Sequence, residues 1–129
     1  MPTELLVLAL ALLLQAVQYA LLSVTANIQI GTRYTTSPRD EQRALHGIPA
    51  RLERALNNHF EALTLFTPAV LVVTLADQSS GVTAACAWIY LAARIVYVPA
   101  YAFGWVPWRS VIWAAGFIAT IIMLLAALL

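Results

Sequence analysis

The chain has 129 residues, of which 62% are hydrophobic and 10% charged, with a formal net charge of +1 and a mean hydropathy of +0.82. Soluble domains carry roughly 25% charged residues, so a water-soluble globular fold is excluded and an integral membrane protein remains. Four apolar stretches, at about 5 to 26, 60 to 76, 82 to 103 and 108 to 129, approach the roughly 20 residues that cross a bilayer core. They consume nearly the whole chain, leaving one membrane domain over 1–129 and no soluble one. Lipid favours structures that satisfy their own backbone, so the expected fold class is an all-α membrane protein, a four-transmembrane-helix bundle.

The first helix is expected at about 4–27. "MPTELLVLAL" has Glu4 where a signal peptide would carry basic residues, so the run is read as a retained helix. Gln15 and Gln18 lie inside it and are expected to face other helices, since glutamines in lipid bond across helix contacts. Gly31 is a plausible stop. The segment that follows mixes Ser, Thr, Pro, Gly and charges, as a loop does.

Charge sets the orientation. The chain has no lysine, and five of its seven arginines (Arg33, Arg39, Arg43, Arg51 and Arg54) lie between the first and second spans. The positive-inside rule puts the 28–54 loop in the cytoplasm and both termini outside. A compact chain without a targeting sequence is compatible with a bacterial inner membrane. No nucleic-acid partner is expected.

The second apolar run is too short to span alone, so its helix must borrow residues upstream and is expected at about 50–76, with Pro49 in the first turn, where a missing N–H costs little. A tight connection over Asp77, Gln78, Ser79, Ser80 and Gly81 leads to a third helix at about 82–103. Cys86, the only cysteine, excludes an intrachain disulfide and is expected to pack as a small hydrophobe. "GWVP" then turns the chain into a fourth helix at about 107–129, with Trp105 and Trp108 at interfacial depth.

The second helix opens with "RLERALNNHFEAL", residues 51 to 63. Arg51, Arg54, Asn58 and Glu61 fall at i, i+3, i+7 and i+10, one face of a helix, and form a polar stripe entering the membrane. At 1.5 Å per residue from the outer turn, Glu61 lies about 24 Å deep and Arg94, on the third helix, about 20 Å. The two charges are therefore expected to pair. An arginine at that depth faces protein or a wet cavity rather than lipid, and Tyr97 and Tyr101 follow it at helical spacing. Arg109 and Ser110 open the fourth helix, where unpaired backbone N–H groups favour an anion. Together these residues describe a cationic pocket open to the cytoplasm.

Simpler readings exist for each member. Arg51 and Arg54 serve equally well as interface anchors, and Glu61 with Arg94 as a structural ion pair. Arg33, Arg39, Arg43, Asp40 and Glu41 are most simply a solvated loop. His46 and His59 lack metal-ligand spacing, so no metal site is expected. For the pocket itself, arginine forks bind carboxylates, Glu61 can take an ammonium group, and a nearby cation favours a thiolate. A small peptide-like thiol with carboxylates fits all three.

Arg54, Ala55, Asn58 and Glu61 reproduce an Arg-Ala-x-x-Asn-x-x-Glu pattern that resembles the signature of the MAPEG superfamily, the membrane-associated proteins in eicosanoid and glutathione metabolism. "RIVYVPAYAFGWVPWRSVIW" is similar to the third and fourth helices of that superfamily's prostaglandin-synthase branch, and the resemblance covers about residues 5 to 129. It implies a homotrimer with glutathione, as cosubstrate, bound in clefts between subunits. Arg54, Asn58 and Glu61 would hold the glutathione backbone, with Arg94, Tyr97 and Tyr101 lining the cleft and Arg51 at a less specific flanking position. Arg109 and Ser110 would be the catalytic pair at the sulfur. Lipophilic electrophiles or hydroperoxides would arrive through the bilayer, making the protein a transferase or peroxidase. Trp113 stands where that branch has a tyrosine, Asn57 where it has an arginine, and the proline after the motif appears only at Pro68. The alternative is a noncatalytic membrane protein binding glutathione or another small anion. A four-helix drug exporter would need an acidic residue deep in the first helix, where only terminal Glu4 is found.

Overall fold

The computed structural model describes residues 1–31 and 45–129. Arg33, Arg39, Asp40, Glu41 and Arg43 lie outside the described residues. Four helices follow in order: α1 (Thr3–Ile30), α2 (Gly47–Leu75), α3 (Gly81–Ala102) and α4 (Trp108–Leu128). Each is long and apolar enough to cross a membrane, and the α2–α3 and α3–α4 turns are too short to do other than reverse direction. The result is an up-down-up-down bundle in which α2 and α3 each contact all the other helices.

The buried positions of α1 and α2 recur at alternating intervals of three and four. On α1 these are Glu4, Val7, Leu8, Ala11, Gln15 and Gln18; on α2, Leu52, Ala55, Leu56, His59, Leu63 and Phe66. That period keeps one seam of each helix against its neighbours. Small residues on α3 (Cys86, Ala87, Ala93) and α4 (Gly116, Ala119) let these two helices approach closely, as membrane helices do when packing rather than hydrophobicity draws them together. Cys86 is buried in this core, as a small hydrophobe. Leucines, valines and isoleucines on the opposite faces, such as Leu13, Val17, Leu71, Ile89, Ile118 and Ile122, are exposed and form the lipid-facing surface.

The helix ends are fixed by specific bonds. α1 runs to Ile30, beyond the expected 27, and stops at Gly31, whose φ of 90° is open to glycine without a Cβ clash. α2 begins at Gly47, three residues before its expected start. Gln29 accounts for both shifts, since its amide donates to His46 O (2.7 Å) and accepts from His46 N (3.0 Å), bracketing the chain as it enters α2. At the opposite end, Ser80 caps α3 through a reciprocal pair with Thr83, satisfying N–H groups that a helix start leaves open. Glu4 of α1 is drawn into the same end, accepting from Ser79 Oγ at 2.8 and 2.9 Å and from Thr83 Oγ1 at 2.6 Å.

Candidate functional site

The polar residues of α2, α3 and α4 gather at the end of the bundle where α2 and α4 begin. Arg94 is 2% exposed. Its Nη1 donates to Asn58 Oδ1 at 2.9 Å, and its guanidinium lies 4.3 Å from the centre of the Tyr97 ring. Charge-assisted bonds of this kind are about twice as strong as neutral ones. The expected Glu61–Arg94 pair does not form: Arg94 turns to Asn58, one helical turn nearer the α2 start, and leaves Glu61 on the exposed rim. Both nevertheless line one cavity.

Tyr97 and Tyr101 pack edge to face, with ring centres 5.7 Å apart. Tyr101 in turn lies under two cations, Arg109 at 4.5 Å and Arg54 at 5.9 Å. Arginine over an aromatic face is attracted by the ring quadrupole, so the tyrosines hold three guanidinium groups from three helices in one row. Among the described residues, Glu61 is the carboxylate that lines a cavity together with Arg94.

Arg51 stands apart. Its Nη1 donates to Ala102 O at 3.2 Å, satisfying one of the carbonyls that the end of α3 leaves without a partner. The approach passes Gly104, where φ is 67° and an added Cβ would meet Arg51 Nη1 at 3.6 Å. Arg51 thus joins α2 to the end of α3, and, like Arg54 and Tyr101, it lines neither cavity described next.

Two cavities adjoin here. The outer, of about 210 Å³, is lined by Asn58, Tyr97, Arg109, Ser110 and Trp113. The deeper, of about 230 Å³, runs between α2, α3 and α4 past Asn58, Glu61, Tyr90, Arg94, Trp113 and Gly116. Asn58 and Trp113 belong to both, so they form the boundary between a polar chamber and a mainly apolar one. Trp113 is stacked on Phe117, with ring centres 5.2 Å apart.

The start of α4 differs from expectation in one respect. Its first N–H groups are not free for an anion: Arg109 N donates to Trp105 O and Ser110 N to Pro107 O, because the preceding turn curls its carbonyls back onto the helix. What α4 offers the outer chamber is the Arg109 guanidinium and the Ser110 hydroxyl.

Beneath the chambers a polar seam runs into the core. Gln18 Nε2 lies 2.8 Å from His59 Nδ1, and His59, fully buried, sits beside Tyr90 with ring centres 6.4 Å apart. Tyr90 is stacked flat on Phe66 at 3.8 Å. Gln15 and Gln18 do face the bundle as expected. Tyr90 and His59 were not legible as site residues, since a tyrosine in an apolar run reads as packing. The one available signal was that Tyr90 stands four residues before Arg94, on the same face of α3.

No curated protein and no solved structure matches the chain. The sequence model of the MAPEG family matches residues 5–129, from the first turn of α1 to the last residue and thus across every element that builds these chambers. The four apolar helices and this match make the chain an integral, multi-pass membrane protein, and it belongs to the MAPEG family.

Proposed function

We propose that this chain is a membrane glutathione-dependent transferase or peroxidase that acts on lipophilic electrophiles or hydroperoxides as a homotrimer. The observation that carries the reading is the pair of adjoining chambers, one cationic and one apolar, with Asn58 and Trp113 between them. Such a reaction has to bring together a charged water-soluble thiol and a partner dissolved in lipid. The arginine row suits the two carboxylates of glutathione, through Arg54, which lies beside Tyr101 outside both cavity linings, and through Arg94 with Asn58; Arg94, Asn58 and Glu61, which suits the ammonium group, line the mouth of the deeper cavity, so glutathione would extend into it. Tyr97 and Tyr101 position the guanidinium groups.

Arg109 and Ser110 would face the sulfur. A fixed cation and a hydroxyl donor favour the thiolate over the thiol, and because they are already oriented they stabilise charge without reorganising. In conjugation the thiolate forms a carbon–sulfur bond as the leaving group departs. In the peroxidase reaction it attacks the terminal peroxide oxygen, giving a sulfenic acid and an alcohol, and a second glutathione then yields disulfide and water. The five arginines between residues 33 and 54 favour placing the chambers at the cytoplasmic face, in a bacterial inner membrane.

The substitution of Trp113 for a hydroxyl-bearing residue favours a second reading, a protein that binds glutathione without turnover. Calorimetry on the detergent-purified protein tests both. Glutathione should bind wild type and be lost from Arg54→Ala and Glu61→Ala, and 1-chloro-2,4-dinitrobenzene or cumene hydroperoxide should be consumed, with turnover falling roughly 10²- to 10³-fold in Arg109→Ala. Binding without turnover selects the second reading. A folded wild type that binds no glutathione defeats both.

A further inference from the structure

Among the described residues, α1 lines neither chamber, yet its Gln18 amide lies 2.8 Å from Nδ1 of His59, the residue that follows Asn58 on α2. Gln18 is 2% exposed and His59 0%. The amide is also held on its own helix, since Nε2 donates to Leu14 O at 3.5 Å. An amide and an imidazole are costly to bury in a span, and replacing both by apolar groups can be nearly neutral, so packing alone does not require them. What a hydrogen bond adds to packing is direction. Apolar contacts tolerate rotation, whereas a hydrogen bond weakens steeply as its angle closes.

Successive residues of a helix project about 100° apart, so His59 reaches α1 while Asn58 reaches Arg94 on α3. Both directions turn together with α2. Side-chain ends lie about 5–6 Å from a helix axis, and a turn of about 10° therefore moves Asn58 Oδ1 by about 1 Å. Its bond to Arg94 is 2.9 Å long, and by about 3.6 Å no such bond remains. Tyr90 and Phe66 also join α3 to α2, through rings 3.8 Å apart and 4° from parallel. Parallel rings hold their spacing but slide over one another, so the stack sets how close the two helices lie rather than how α2 is turned.

We propose that Gln18 and His59 are positioning residues for the chambers: their bond fixes the rotation of α2 about its axis and so keeps Asn58 on Arg94. Neither touches a ligand. Asn58 lines both chambers and Arg94 the deeper one, so α1 acts on a site to which it gives no lining. The effect on glutathione rests on the glutathione-dependent reading; the coupling of Gln18 to Asn58 does not.

Glutathione calorimetry on the detergent-purified full-length protein, at a temperature where every variant is folded, tests this. Gln18→Leu and His59→Leu should each bind roughly 3- to 30-fold more weakly, at or below the effect of losing one hydrogen bond to a charged group. His59→Asn, whose side-chain amide can take the place of Nδ1, should restore most of the affinity. Thr83→Val, destabilised at the opposite end of the bundle, should bind as wild type does, which separates positioning from a loss of stability. In an Asn58→Ala background, Gln18→Leu should weaken binding no further, because the contact it acts through is already gone. Wild-type affinity in both leucine variants, an equal loss in Thr83→Val, or additive losses in the double variant would overturn the proposal. Denaturant midpoints of the same variants read the coupling without ligand: a double variant shifted by less than the sum of the single shifts supports the proposal, and additive shifts overturn it. Coupled midpoints in a wild type that binds no glutathione keep the positioning of Asn58 and remove the glutathione-dependent reading.

Discussion

Asn58 Oδ1 and Arg94 Nη1 meet at 2.9 Å across the α2–α3 seam, and among the described residues the guanidinium makes no other hydrogen bond. Replacing Asn58 by Ala leaves a buried cation with no acceptor. The bundle should lose about 1.5–3 kcal/mol, the range for a hydrogen bond to a charged group, read as a lower midpoint in denaturant titration. Asn58→Asp keeps the acceptor and should recover most of that stability.

Gln18 and His59 form a second buried polar pair, 2.8 Å apart and 41 residues distant in sequence. Removing one partner strands the other, whereas removing both exchanges a polar contact for an apolar one. Gln18→Leu and His59→Leu should each cost about 1–3 kcal/mol, and the double variant less than their sum. A double-mutant cycle on thermal or denaturant unfolding measures the coupling; additive losses would show that the pair contributes no interaction.

Glu4 and Thr83 tie α1 to α3 at the end of the bundle opposite the chambers. Thr83→Val removes both a carboxylate donor and half of the capping box, and should cost about 1–3 kcal/mol. Glu4→Gln retains an acceptor oxygen and should cost less than Glu4→Ala. Because the cluster is remote from Arg109, all three variants should bind glutathione like wild type while unfolding earlier. A parallel loss of binding would place the cluster in the ligand site.

Tyr101 is the ring shared by Arg54 and Arg109. Tyr101→Phe keeps the aromatic face and should leave both arginines in place, whereas Tyr101→Leu removes the attraction that holds two like charges together. Cation–π contacts are worth about 0.5–2 kcal/mol, so glutathione affinity should fall several-fold in the leucine variant and change little in the phenylalanine one. Isothermal titration of the two variants side by side gives the comparison.

Much of the architecture was legible because membrane helices announce themselves by length and apolarity. Four spans, their order and the inward-facing glutamines follow from composition and the cost of a polar group in lipid. The boundaries of α1 and α2 were less accessible. They move because the Gln29 side chain brackets His46, a contact between residues 17 apart in sequence. The α2 stripe was visible from its spacing, but spacing places four side chains on a face without saying which neighbour each reaches. Hence Arg51, just under one turn from Arg54, bonds the end of α3, and Glu61 yields Arg94 to Asn58.

By itself the sequence determined a four-span membrane bundle, the crowding of arginines at one end of it, and a motif that marks the family. Those follow from local composition and helical period, which hold whatever the helices pack against. Only the tertiary structure decided that Asn58 and Trp113 separate a cationic chamber from an apolar one, that the Arg109 and Ser110 N–H groups opening α4 are already used, and that Tyr90, stacked on Phe66, reaches the wall of the deeper cavity. Each of these depends on the relative rotation of α2, α3 and α4 about their axes. That rotation is set by how small residues such as Ala93 and Gly116 let the helices close, an interaction between distant positions that no single stretch of chain contains.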